Sequence, residues 1–347
     1  MIIPEKKFFL FGMGDRDKYI YRDGKLLSFP NYRVYADFKV LCEEIIPSEY
    51  TVKLKDANGN VVIYENEEGV YLQNTDGRTE CLTSSYINLP DFGDSAYSNT
   101  LRILHHEILI NIYNGLPLPN MFVYNKPWYR DSAMMAMVLK HTGNLHLISD
   151  WAASVTEMYD RNNAGMNEPD NLGQLMYILA LMGNNSSSIV LELVAEAKRR
   201  APYGVLDGIT DGANHAVYQT KWLKYGLYTL GLDSEWVKIP EIKDSYSALF
   251  WMDYIDEGMI FDDSDYPYNE NYPYLWWAKQ HYYKKCVDVS MLKPCYPMTW
   301  ETQASEAKYS LIKPISENYA ENNSAAPHTW HASEMFLYIT DILSEDN

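Results

Sequence analysis

From about residue 98 onward, segments that are apolar on every side alternate with segments that carry a single apolar stripe. Leu101, Leu104, Ile108 and Ile112 share one face; 132–142 is apolar all round. Over 145–159, Leu147, Ile148, Trp151, Val155, Met158 and Tyr159 form a stripe. Leu172 to Met182 is again apolar nearly all round, and Ile189, Val190, Leu193, Val194 and Ala197 form another stripe. A helix that is apolar all round is buried on all sides, whereas a striped one is half exposed. Inner, outer, inner, outer is the pattern of concentric helical hairpins. Segments at about 213–231, 245–256, 272–285, 301–312 and 328–344 fit the same scheme. The expectation is a mainly-α chain whose residues 98–347 form an α/α toroid, complete or partial.

Residues 1–90 read differently. Phe8–Phe11 is a short apolar run, and Tyr19-Ile20-Tyr21 leads through Asp23-Gly24 into Leu26-Leu27. Val52 and Leu54 alternate with Lys53 and Lys55; Asn58-Gly59 precedes Val61–Tyr64, and Gly69–Leu72 precedes Asp76-Gly77. Asx-Gly between alternating runs signals hairpins, so a small antiparallel β domain is expected. Pro, Gly, Ser, Asn and Asp in 85–97 mark a linker.

The loops entering the inner helices of a toroid converge at one end of its cavity, and here those entries are polar and aromatic. Lys126-Pro127-Trp128-Tyr129-Arg130-Asp131 opens the first. A charged pair at the mouth of a buried helix must be paired or face a polar cavity. Sugar hydroxyls suit Arg130 and Asp131, and Trp128 and Tyr129 suit a sugar's apolar face. The plainer reading is that Asp131 caps the helix. Asn167-Glu168-Pro169-Asp170-Asn171 opens the next; Glu168 is placed to act as a general acid and Asp170 to bind substrate, or else both merely favour the helix start. Asp211, His215, Tyr218, Lys221 and Trp222 form a third cluster, with Asn214 beside them. Trp300, Glu301 and Gln303 form a fourth, in which Glu301 suits activation of water. His328 and Trp330 open the last helix.

Net charge is −18, which argues against a nucleic-acid partner. Thirty Tyr, 9 Trp and 10 Phe supply a core and fit a broad polar cleft. The four cysteines, Cys42, Cys81, Cys286 and Cys295, lack metal-ligand spacing and read as reduced thiols. Asp262-Asp263-Ser264-Asp265 reads as a solvated acidic loop rather than a cation site. No apolar run reaches membrane-spanning length, and Met1–Lys7 shows no signal-peptide pattern. The expectation is a cytoplasmic protein with no membrane partner, no metal and no cofactor.

Trp-Tyr-Arg-Asp-Ser-Ala (128–133) resembles the Arg-Asp-Ser-Ala segment of glucoamylase-type enzymes of the six-hairpin glycosidase superfamily. Pro-His-Thr-Trp-His-Ala-Ser-Glu (327–334) resembles their last-helix Thr-Trp segment, and Trp300–Gln303 resembles the segment that holds their catalytic base. The resemblance implies an inverting glycoside hydrolase acting on an oligosaccharide or glycoconjugate. Arg130 and Asp131 would clamp the sugar, Glu168 would donate the proton and Glu301 would activate water. Glu168 lies closer to Arg-Asp than the acid of glucoamylases does. Two other readings compete. In a lyase or epimerase acting on a uronate glycan, Asn214 would neutralise the carboxylate and His215 or Tyr218 would take the proton. A non-catalytic glycan-binding protein would retain the cleft alone.

Overall fold

The computed structural model describes residues 8–161, 165–185, 187–242, 296–299 and 327–345. Four strands, β1 (Phe8–Phe11), β2 (Tyr19–Arg22), β3 (Lys25–Ser28) and β4 (Arg33–Asp37), form one antiparallel meander. Five more, β5 (Val40–Ile46), β6 (Thr51–Asp56), β7 (Gly59–Glu65), β8 (Gly69–Gln73) and β9 (Thr79–Ser84), form a second. Asp23 and Gly24 both adopt positive φ, 50° and 75°, in the tight turn that pairs Arg22 with Lys25.

The two sheets share a core of alternating side chains: Phe9, Phe11 and Tyr21 from the first, Val52, Ile63 and Leu72 from the second. The Tyr21 hydroxyl donates to Glu43 on β5, and the Tyr35 hydroxyl donates to Glu80 on β9, the two outermost strands of the larger sheet. A buried ion pair joins the sheets. Glu65 accepts from the backbone N–H of Gly12 (2.9 Å) and Met13 (2.7 Å) and from Arg16 (2.8 Å). Arg16 also donates to the carbonyls of Asn66 and Glu67, at 2.8 and 2.7 Å. Burial holds the Lys18 ammonium down to about 7; it donates to the carbonyls of Gly12 and Gly14. Such groups are tolerated inside only because each is paired or bonded to backbone.

Residues 85–97 carry neither helix nor strand. The helices follow: α1 (Ser98–Leu109), α2 (Tyr129–His141), α3 (Ser149–Ser154), α4 (Asp170–Leu181), α5 (Ser188–Arg200), α6 (Ala216–Thr229) and α7 (Thr329–Glu345). Two small hairpins intervene, β10 (Ile112–Tyr113) with β11 (Leu116–Pro117), and β12 (Ile209–Thr210) with β13 (Ala213–Asn214). The helix α7 packs against both α1 and α2, α2 packs on α4, and α4 packs on α6. The α5 stripe of Ile189, Val190, Leu193 and Ala197 faces the core shared with α4 and α6.

The α4–α6 crossing is unusually close. A Cβ on Gly173 would lie 2.5 Å from the backbone N of Leu223 and nearer still to the Trp222 carbonyl. A Cβ on Gly226 would likewise meet the Gly173 carbonyl oxygen. No side chain fits at either position.

The β strands and helices are not separate cores. Leu101, Leu104, Met134 and Phe336 join the cluster of the two sheets. On the other face of the smaller sheet, Phe8, Leu10, Ile20 and Leu27 pack against Leu118, Phe122, Tyr124 and Trp128. The smaller sheet thus buttresses the chain that leads into α2.

The expected mainly-α toroid is overturned. The chain is mixed, with 36% helix and 22% strand, and the seven α-helices among the described residues form no clear α/α toroid. Two features account for the difference. The strands β4, β5 and β9 are largely exposed edges, so they carry no alternating apolar signal. The stripe over 145–159 is not one helix either. A 3-10 turn (Leu145–Ile148) and the six-residue α3 give way to an extended Val155, ψ 123°, and an irregular run to Arg161. That run finds its partners elsewhere, so it needs no helical ladder. The expected helices at 245–256, 272–285 and 301–312 lie outside the described residues, as do Asp262–Asp265, Cys286 and Cys295. Cys42 and Cys81 are free and exposed. Among the described residues no helix is long and apolar enough to cross a membrane, and no group of three or more potential ligands is placed to hold a metal.

Candidate functional site

The N-terminal ends of α2, α4 and α7 bring together most of the residues singled out in the sequence. Arg130, in the first turn of α2, is 4% exposed. Its Nη1 lies 3.6 Å from Glu168 Oε2 and 3.9 Å from Asp170 Oδ2. Its guanidinium stands 4.8 Å from the centre of the Trp330 ring and 6.0 Å from that of Trp128, close enough for cation–π attraction. Asp131 Oδ1 is 3.8 Å from His328 Nδ1. Tyr124 packs edge-on against both Trp128 and His328. Burial and the neighbouring His328 hold His331 well below the usual histidine range.

Neither aspartate caps its helix. The N-cap of α2 is Trp128 and that of α4 is Pro169, and neither helix start has a side-chain cap bond. Asp170 instead accepts from Gln174 Nε2 (2.8 Å) and Thr210 Oγ1 (2.9 Å). Gln174 Nε2 also donates to the Tyr218 hydroxyl (3.1 Å), and Gln219 Nε2 donates to Thr210 Oγ1 (2.9 Å) and to the Gly208 carbonyl (3.0 Å). The α4–α6 crossing therefore places one polar network on Asp170.

The β12–β13 hairpin covers the Glu168 side. Asp211 and Gly212 both have positive φ, 49° and 87°, in a two-residue turn. The Asp211 N–H donates to Glu168 Oε1 at 2.7 Å. Glu168 thus accepts a backbone N–H with one oxygen and has a guanidinium 3.6 Å from the other, and the nearby positive charge favours the ionised carboxylate.

A residue that sequence reasoning passed over completes the cluster. Asp160 Oδ2 accepts from the Tyr129 N–H at 2.6 Å, and the Asp160 N–H donates to Asn171 Oδ1 at 3.2 Å. Lys126 Nζ donates to the carbonyls of Asp160 and Arg161, both at 2.6 Å. Burial, reinforced by the charges of Asp170 and Glu168, pushes the Asp160 carboxyl up to about 7 against the opposing pull of the Tyr129 N–H and Arg130. Residues 145–159 look like one helical stripe, and that pattern hid it. Gln174 and Gln219 carried a signal: each is a polar residue inside an apolar helix, and each is fully buried.

The remaining candidates fall elsewhere. Tyr129 turns its ring toward Trp151 and donates its hydroxyl to the Glu157 carbonyl. Trp222 is fully buried against Tyr177 and Tyr225 and serves the helix crossing. Lys221 is fully buried on α6. His215 occupies the N-cap position of α6 without a side-chain cap bond. Asn214 and Asp211 are exposed, and Asn214 donates to Asp207. Tyr218 is buried beneath Gln174, and burial raises its hydroxyl well above the usual range. The trio of Asn214, His215 and Tyr218 is therefore divided between an exposed hairpin and a buried network.

Trp300, Glu301 and Gln303 lie outside the described residues. The segment just before them is firmly held. Glu107 on α1 accepts from the backbone N–H of Met298 and Thr299 (the latter at 3.1 Å) and from Thr299 Oγ1 (2.7 Å). Burial outweighs these donors and pushes the Glu107 carboxyl up to about 8. Asn111 donates to the Pro327 carbonyl at 2.9 Å. Both flanks of 300–326 are thus moored at the C-terminal end of α1.

No family model matches this chain, and no curated protein or solved structure matches it either.

Proposed function

We propose that this chain is a carbohydrate-active enzyme that hydrolyses a glycosidic bond through paired carboxyl groups, with no cofactor. The observation that carries the reading is the setting of Arg130. One buried guanidinium faces Glu168 and Asp170 at 3.6 and 3.9 Å and stands against the rings of Trp330 and Trp128. A sugar presents hydroxyls on its edges and an apolar C–H face, and carboxylate, guanidinium and indole match those groups in turn. Two further atoms support a hydroxyl-rich ligand. Trp128 Nε1 and Gln219 Oε1 are buried, one a donor and one an acceptor, with no hydrogen-bond partner among the described residues; buried polar atoms are rarely left so. Hydrolysis by two carboxyl groups asks one to be ionised and one protonated, and the bonding of Glu168 suits the ionised member.

The test is a product screen over neutral and uronic-acid oligosaccharides, read by mass and by ultraviolet absorbance. Hydrolysis adds one water to the products and gives no new absorbance. Glu168→Gln is expected to retain the fold and sugar binding and to lose about 1000-fold or more in turnover, at the level expected of a lost general acid or base. Absorbing products without added water would replace hydrolysis by elimination. Binding without any product would reduce the chain to a glycan-binding protein.

A further inference from the structure

Resting on that hydrolase reading, we infer that Asp160 is the proton donor of the site, and that Glu168 is the ionised carboxylate that activates water. Asp160 belongs to the irregular run after α3, yet three anchors fix it at the mouths of α2 and α4. Tyr129 N–H holds one carboxyl oxygen, Asn171 holds its backbone N–H and Lys126 holds its carbonyl. Its residue surface is partly exposed, whereas Asp131, Glu168 and Asp170 are 1%, 3% and 0% exposed. Of these four residues the one from the loop is the least enclosed, although its carboxyl group lies within the cluster.

The charged groups around it decide its state. Arg130 on α2 and the Tyr129 N–H favour the carboxylate. Glu168 and Asp170 at the entry of α4 oppose it, and so does burial, which is the largest effect. The Lys126 ammonium donates to the Asp160 and Arg161 carbonyls and also attracts the Asp160 carboxylate, without offsetting burial. The result is a carboxyl that holds its proton at mildly acidic pH near Glu168, whose carboxylate form the Arg130 guanidinium favours. Divergent protonation of neighbouring carboxyls marks the acid and base of a glycosidase.

The Asp160 proton moves to the glycosidic oxygen as the bond from that oxygen to the anomeric carbon breaks. Water forms a new bond to the anomeric carbon and gives its proton to Glu168. Asp160 regains a proton from solvent and Glu168 returns one, so one water is consumed and nothing is oxidised or reduced.

The experiment compares wild type with Asp160→Asn on two probes, a neutral oligosaccharide that the wild type cleaves and the dinitrophenyl glycoside of the same sugar. The amide oxygen still accepts from the Tyr129 N–H, so the fold is retained. A dinitrophenolate leaves without a proton. The variant should lose about 100- to 10,000-fold on the oligosaccharide and stay within about tenfold of wild type on the dinitrophenyl glycoside, with the high-pH limb near pH 7 abolished. Equal losses on both probes, or no loss on either, would overturn the assignment. Carboxyl infrared difference spectra of wild type against the variant give a readout that needs no turnover. A group already ionised at pH 5 would rule out Asp160 as donor, even if hydrolysis by other carboxyls is real. Should the wild type cleave no oligosaccharide of the product screen while Asp160 titrates near 7, it is the hydrolase reading that fails, and the donor assignment falls with it.

Discussion

Gly173 and Gly226 meet backbone to backbone where α4 crosses α6, and neither position has room for a methyl group. The same crossing aligns Gln174 with Tyr218, and Thr210 with Asp170 and Gln219. The spacing of two helices is thereby converted into the shape of a polar network.

Gly173→Ala should therefore destabilise strongly. Overpacking a tight core costs about 1–3 kcal/mol, occasionally more, and this methyl would meet backbone, which cannot rotate away. We expect the top of that range or failure to fold. A urea midpoint within error of wild type would show that the two helices separate freely.

Glu107 sets a pH dependence with a definite sign. Its folded value of about 8 lies above its ordinary 4.5, so the folded chain holds a proton that the unfolded chain releases across that interval. Its contribution to stability is present below about pH 4.5 and is lost as pH rises to 8. Glu107→Gln carries no such cost. The stability of the variant relative to wild type should rise by a few kcal/mol between those limits. Parallel urea midpoints from pH 5 to pH 8 would contradict this.

His105 and His106 act in the opposite sense. Burial holds both rings down to about 3, against an ordinary 6.5. The unfolded chain takes up protons that the folded chain refuses, so stability is full above pH 6.5 and falls as pH drops toward 3. His106 is stacked on Phe9 and bonded to the Leu10 carbonyl at 2.8 Å. Its replacement by Gln should cost stability at neutral pH and flatten the acid limb. The slope of unfolding free energy against pH between 6.5 and 3 is the quantity to compare.

Removing residues 1–97 should leave a chain that does not fold. Leu104 and Met134 share their core with Val52 and Ile63, and Trp128 leans on Leu10 and Leu27 through a second cluster. The truncated chain is expected to lose near-ultraviolet circular dichroism and to bind a hydrophobic dye. A cooperative thermal transition in that fragment would contradict the shared core.

What the sequence disclosed follows burial. Strands β1 to β3 and β6 to β8 alternate or are apolar throughout because their faces are covered, and Asx-Gly pairs mark their turns. The strands β4 and β5 lie at sheet edges, where Val34 and Leu41 are 48% and 69% exposed, and no period distinguishes them from loop. All-round apolarity located α2 and α4 correctly as buried helices, yet it reports burial and not closure, so it could not separate a ring from a row packed on sheets. Arg130, Asp131, Glu168, Asp170, His328 and Trp330 were legible because charge and indole at helix mouths need partners. Asp160 was not, since its setting depends on bonds to Tyr129 and Asn171 that no local pattern encodes. Glu107 sat unnoticed on an apolar helix, and its partner Thr299 is far away in sequence.

The position of α7 bears on how the chain is made. The helix lies between α1 and α2, which leave the ribosome long before it does. Until residues 329–345 emerge, the apolar faces of α1 and α2 that they cover lack this partner. Covering those faces joins segments of wide sequence separation, a slow kind of contact to form. Folding of α1 and α2 to their native packing should thus wait on the arrival of residues 329–345.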